Sequence, residues 1–165
     1  MKQLCELTPI EKEIQVFQMP EIKLIGKEIR GGGFLGDAVA PTLWNRCIAD
    51  GSLEVLRSLP SYIPGALVGW SGNYTDEDKT YSYIVGVFTT LDTPVPDGYT
   101  FRILPPTLVG KGRPGEGYAF LGELDRQGYA TNYELRGWNV ELIYDVPPVV
   151  DKETVWTILS PIRKK

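Results

Sequence analysis

Hydrophobic and polar positions alternate most clearly in two neighbouring stretches, "GALVGWSG" at 65–72 and "KTYSYIVGVFTT" at 79–90. In the second, Val85, Val87 and Thr89 fall on one side and Ile84, Gly86 and Phe88 on the other, the two-residue period of a strand. The polar, turn-forming "SGNYTDED" between them predicts a hairpin. Upstream, "EIQVFQMP" at 13–20 and "EIKLIGKEIRG" after Pro20 also read as strands, the latter ended by glycines 31–33. Between these strands and the hairpin the period changes. Leu43, Trp44, Cys47 and Ile48 fall at helical spacing, Pro41 suits a first turn and Gly51 interrupts or caps, so a helix is predicted over 41–59.

After the breaker "LDTPVPDG" the pattern restarts. "TFRILPPTLVGKG" is extended, "EGYAFLGELDRQ" is helical with Tyr118, Leu121 and Leu124 on one side, and "WNVELIYD" and "TVWTILSPI" are strands. The short sequences "KLIGK" (23–27) and "TLVGK" (107–111) open the two series. The same four elements in the same order predict an internal repeat, with units over about 20–92 and 98–162 within a single domain 1–165. The competing reading is an unduplicated α+β domain with two glycine-rich turns. A doubled strand-helix-strand-strand unit gives an α+β fold: one antiparallel sheet, two helices on one face and a ligand groove on the other.

Composition narrows the chemistry. Lys and Arg total 17 against 21 Asp and Glu, a net charge of −4, which is a poor balance for gripping phosphates. No direct nucleic-acid binding is therefore expected. No apolar run reaches the ~20 residues of a membrane span, and "MKQLCELTPIEKE" lacks the apolar core of a signal peptide, so a cytoplasmic location is expected. Histidine is absent, which removes Ser-His-Asp and Cys-His pairs and histidine-ligated zinc. Cys5 and Cys47 are too few for a cysteine-only metal site within one chain. No metal or cofactor is expected. "GKGRPGEG" lacks the order of a phosphate loop, and the acidic turns lack calcium-loop spacing.

What remains is aromatic and carboxylate chemistry. Aromatic residues make up 11% of the chain, and Trp70, Tyr81, Tyr83, Trp138, Tyr144 and Trp156 all fall on predicted strands. Such rings usually fill cores; as a set they equally suit a pocket lining. Trp44 reads as core. Glu141 is the only acid inside "WNVELIY". It either faces solvent, paired to a cross-strand cation, or stands ready for a ligand's charge, since burying it unpaired is unfavourable. A carboxylate among aromatic faces attracts cations.

The stretches "PEIKLIGKEIRGG", "PTLWNRC", "YSYIVGVFTT", "VELIYD" and the closing "LSPI" together resemble the GyrI-like domains, the bacterial transcription-activator effector-binding family. The resemblance covers about 20–162 and lies in pattern and order. It implies two strand-helix-strand-strand units with a groove that takes amphipathic, often cationic small molecules. It implies that Glu141 faces that groove, with Tyr83, Trp70, Trp138 and Tyr144 as further ligand-binding candidates. The family usually carries a tyrosine two residues after the glutamate, whereas Tyr144 comes three after, so either a bulge realigns it or only one of the two reaches the groove. Three functions follow from the resemblance. One is small-molecule (multidrug-type) binding, in capture or transcription regulation. Another is hydrolysis of reactive cyclopropane-type ligands by Glu141 with Tyr83 or Tyr144. The last is inhibition of a DNA-processing protein partner such as gyrase.

Overall fold

Two short links set the architecture. The computed structural model describes residues 6, 13–32, 38–77, 79–113, 119–131 and 137–165. Its strands are β1 (Gln15–Met19), β2 (Ile22–Gly32), β3 (Leu67–Thr75), β4 (Thr80–Thr89), β5 (Thr100–Leu104), β6 (Thr107–Gly112), β7 (Tyr129–Ala130), β8 (Asn139–Ile143), β9 (Thr157–Pro161) and β10 (Arg163–Lys164). The helices are α1 (Val39–Asp50), α2 (Ser52–Arg57) and α3 (Ala119–Arg126). Eight strands form one sheet in the order β1-β6-β9-β8-β3-β4-β2-β5, and β7 pairs with β10.

β1 and β2 stand six places apart in that order, yet only Pro20 and Glu21 join them. Pro105 and Pro106 likewise join β5 at one edge to β6 near the other. In a flat sheet six places span roughly 29 Å, while a two-residue link reaches at most roughly 11 Å. The sheet therefore curls until its edges meet. Each short link hands a strand to the opposite half: β1 pairs with β6, and β5 pairs with β2.

The inside of the curl is filled by alternate residues from all eight strands. Met19, Leu24, Val68, Trp70, Ile84, Phe88, Leu104, Val109, Val140, Leu142 and Leu159 form one buried cluster. The helices stand on the outside. α1 and α2 lay Leu43, Trp44, Cys47, Leu53 and Leu56 on Ile25, Leu67, Tyr83, Val85 and Val87. α3 lays Phe120, Leu121 and Leu124 on Ile158 and Ile162. Gly51, in the left-handed conformation at φ +82°, ends α1 and restarts the chain as α2, so the helix expected over 41–59 is two. The end of "TFRILPPTLVGKG" is likewise two strands rather than one, parted at the proline pair. Tyr118, expected on the second helix, lies outside the described residues.

Within the sheet, β2-β4-β3 and β6-β9-β8 are mirrored about the central β3·β8 pair. Each trio carries its helix between its first and second strands in the chain. The likeness between "KLIGK" and "TLVGK" does not carry this symmetry residue by residue. A Cβ on Gly26 would meet Ile84 inside the curl at 2.7 Å, whereas one on Gly110 would meet Leu124 of α3 outside it at 2.5 Å. Matching the two glycines would turn every side chain to the wrong face. The halves are alike as elements, and the shared letters are not equivalent positions.

Candidate functional site

β3 and β8 lie side by side between the two helical coverings, and their outward residues form the floor of the site. Period-two alternation sends Val68, Trp70, Val140 and Leu142 inward. It leaves Gly69 and Ser71 on β3, and Asn139, Glu141 and Ile143 on β8, facing out. Gly69 stands directly across from Glu141, and Ser71 from Asn139. On the far sides, Gly69 faces Val85 and Ser71 faces Tyr83, while Glu141 faces Ile158.

Gly69 is small because Tyr83 needs the space. A Cβ there would sit 2.1 Å from the Tyr83 hydroxyl and 3.1 Å from Trp44 Nε1. The Trp44 indole N–H donates a 2.8 Å hydrogen bond to that hydroxyl in a buried setting. Cβ positions of directly opposed strand residues are about 5 Å apart. The phenol oxygen, which occupies the place of a Gly69 side chain, is thus within one side-chain length of Glu141. Trp156, one residue before β9, completes the wall. Its ring lies 5.4 Å from that of Trp44, and it packs against both the α1 cluster and the α3 cluster. The strand-joining segment that carries Trp156 is held to α1 by Asn45. The Asn45 carboxamide donates to the Val150 carbonyl at 3.0 Å and accepts from the Val150 N–H at 2.8 Å.

Glu141 is half-buried, and no described residue pairs or hydrogen-bonds with it. Desolvation raises its pKa from 4.5 to about 7. A carboxylate held at the edge of ionisation thus stands across from the glycine whose side-chain place the Tyr83 hydroxyl occupies.

The structure thus brings Glu141 and Tyr83 together and parts them from the other candidates. Trp70 and Trp138 pack on the inner face, where Trp138 meets Phe88 edge-on at 6.4 Å. The concavity expected on the face away from the helices is occupied by this core, and Glu141 lies on the helix-bearing side. Tyr144 falls just past the end of β8, where the strand stops without a bulge, and is 44% exposed. It lines a separate cavity of about 510 Å³ with Asp145, Val149, Asp151, Glu153 and Val155, with Lys111 Nζ 6.0 Å from its ring. Trp44, read from the sequence as core, and Trp156, read only as a strand aromatic, belong to the site. Their signal was weak because both are also packing residues, Trp44 fully buried and Trp156 partly so. A better signal lay in "LVGWSG", where small Gly69 and Ser71 alternate with bulky Val68 and Trp70, a pattern that marks close approach on one face.

Elsewhere, Cys47 is buried, and burial pushes its thiol up to about 11, so it is inert as a nucleophile. Cys5 lies outside the described residues. Among the described residues no group of three or more His, Cys, Asp or Glu gathers in a way that would hold a metal ion. No described helix is long and apolar enough to cross a membrane.

The curled antiparallel sheet of paired strand-helix-strand-strand units is the fold that the resemblance to the GyrI-like effector-binding domains implied. Solved structures carry the likeness. SAV2435 bound to tetraphenylphosphonium superposes with a TM-score of 0.62 at 17% identity, over 92% of this chain and 94% of that one. A protein from Staphylococcus aureus MU50 assigned to bacterial transcription regulation gives 0.58 at 17% identity, over 92% and 98%. The C-terminal domain of EcmrR gives 0.54 at 16% identity, over 92% and 98%. No family model and no curated protein sequence matches the chain.

Proposed function

We propose that this protein binds amphipathic aromatic cations in the groove between its helices, with Glu141 as the counter-charge and Trp44, Tyr83 and Trp156 as the aromatic wall. The observation that carries this reading is the unpaired, half-buried carboxylate of Glu141 across from Gly69, whose side-chain place the Tyr83 hydroxyl fills. A diffuse organic cation gives up little hydration on entry and gains both Coulomb attraction and the negative faces of the rings. Tetraphenylphosphonium, the ligand of the similarly folded SAV2435, is of this chemical kind. Binding of such a compound fits a sensing or capture role, including effector sensing in transcription regulation.

Calorimetric titration with tetraphenylphosphonium at pH 8 tests it. The wild type should bind, and Glu141→Gln should weaken binding at least about tenfold, the scale of one charge-assisted contact. Unchanged affinity in that variant moves the site elsewhere.

One observation favours a second, catalytic reading. A carboxylate with a pKa near 7 beside a tyrosine hydroxyl has the proton affinity of a general base toward water at neutral pH. Under it, Glu141 and Tyr83, without Tyr144, would hydrolyse an electrophilic cyclopropane-type ligand. Turnover by the wild type that disappears in Glu141→Gln supports hydrolysis; binding without turnover leaves a receptor.

A further inference from the structure

Outward positions beneath the helices are apolar almost throughout: Leu67, Val85, Val87, Ile143 and Ile158. One row breaks that rule. Running across the sheet from Tyr83, it comprises Ser71 on β3, Asn139 on β8 and, one register step past the Val140–Leu159 pair, Ser160 on β9. Ser71 is half-buried, Asn139 is buried and Ser160 is wholly buried. The Ser160 hydroxyl has no hydrogen-bond partner among the described residues, an unfavourable state for a buried polar group that a ligand atom would relieve. Because Asn139 and Glu141 are two residues apart on one strand, this row lies about 7 Å from the carboxylate along β8.

We infer that the groove reads its ligand at two points, charge at Glu141 and a hydrogen-bonding group at the Ser71–Asn139–Ser160 row. The inference rests on the proposed cation site and narrows its ligand class. The preferred compound is an aromatic cation bearing an amide, carbonyl or hydroxyl about 7 Å from its charged centre. A cation that is hydrocarbon throughout satisfies Glu141 and leaves the row unmet. Ser71, Asn139 and Ser160 are then specificity-determining residues, and the hydroxyl buried at the row's end is the price of that discrimination.

The test compares two probes of equal shape, (4-carbamoylphenyl)triphenylphosphonium and its 4-isopropylphenyl counterpart, titrated calorimetrically alongside tetraphenylphosphonium itself. The amide probe should bind the wild type about tenfold more tightly than the isopropyl probe, the scale of a well-made hydrogen-bond pair. In the Ser71→Ala/Ser160→Ala double variant the preference for the amide probe should be lost. Ser160→Ala alone, which removes an unpartnered buried hydroxyl, should not lower the melting temperature, and a double variant that melts with it has lost its preference without misfolding. Equal affinities for the matched pair in the wild type overturn the inference and leave the cation site standing. A preference that survives in the double variant removes its assignment to this row. If no phosphonium binds, the cation site itself falls and the inference with it.

Discussion

The two faces of β3 and β8 are made from alternating residues of the same short strands, yet they do opposite work. Inward, Val68, Trp70, Val140 and Leu142 interlock with strands from both halves of the molecule, and each is at most 3% exposed. Outward, Gly69, Ser71, Asn139 and Glu141 are small or polar, and one carries an unpaired charge. The difference teaches that stability and recognition are separated here by half a strand period. The curl closes an apolar interior that depends on neither helix. The outer face at the pseudo-twofold line is thereby freed to hold groups that would be damaging in a core.

If that division is right, substitutions one residue apart should act on different observables. The largest effect is expected from Leu142→Ala, which opens a cavity in the interior. Urea denaturation should show a loss of about 3 kcal/mol, while the folded fraction binds tetraphenylphosphonium with unchanged affinity. A large affinity change would show that the interior and the groove are not independent.

Next comes Glu141→Gln, which should raise stability. The folded pKa of Glu141, about 7, lies above its ordinary 4.5. The folded state therefore holds the proton more tightly than the unfolded chain does. The associated stability is fully present below pH 4.5 and is lost as pH rises through 7. The variant should equal wild type at pH 4 and exceed it at pH 8 by on the order of 2 kcal/mol, allowing for partial solvent screening. A pH-independent difference would mean that Glu141 is not desolvated.

The same group sets the pH dependence of binding. A cation prefers the carboxylate form, so tetraphenylphosphonium affinity should fall as pH drops below 7, approaching tenfold per unit, and Glu141→Gln should flatten the profile. A smaller effect, about 1 kcal/mol of stability, is expected from Tyr83→Phe, which keeps the ring and removes the hydroxyl that accepts from the Trp44 N–H. Tyr144→Ala should change neither stability nor phosphonium binding measurably, since its exposed ring lies outside the groove. Weakened binding in that variant would extend the site to the neighbouring cavity.

Much of the molecule was legible in the residues. The alternation in "WNVELI" places Asn139, Glu141 and Ile143 on one face and Val140 and Leu142 on the other whatever the strand pairs with, because the period is a property of the backbone itself. Glycines, prolines and polar turns marked the element boundaries to within a few residues, and the isolated acid pointed to Glu141. A change of face between strands was not legible. Tyr83 and Trp70 sit on adjacent strands of one hairpin, and which of them shares a face with Glu141 depends on registers that slip between Gly72 and Thr75. The gathering of Trp44 and Trp156 was equally hidden, because they meet only once α1 and the segment before β9 pack over the same strand pair.

The sequence alone determined the periods, the breaks and the chemical poverty of the chain: no histidine, scarce cysteine, an abundance of rings and a lone acid inside "WNVELIY". Tertiary structure decided which rings share a face with that acid. Local periodicity assigns faces within a strand, but only long-range pairing, forced here by two short links that curl the sheet until its edges meet, fixes which faces of different strands look at one another.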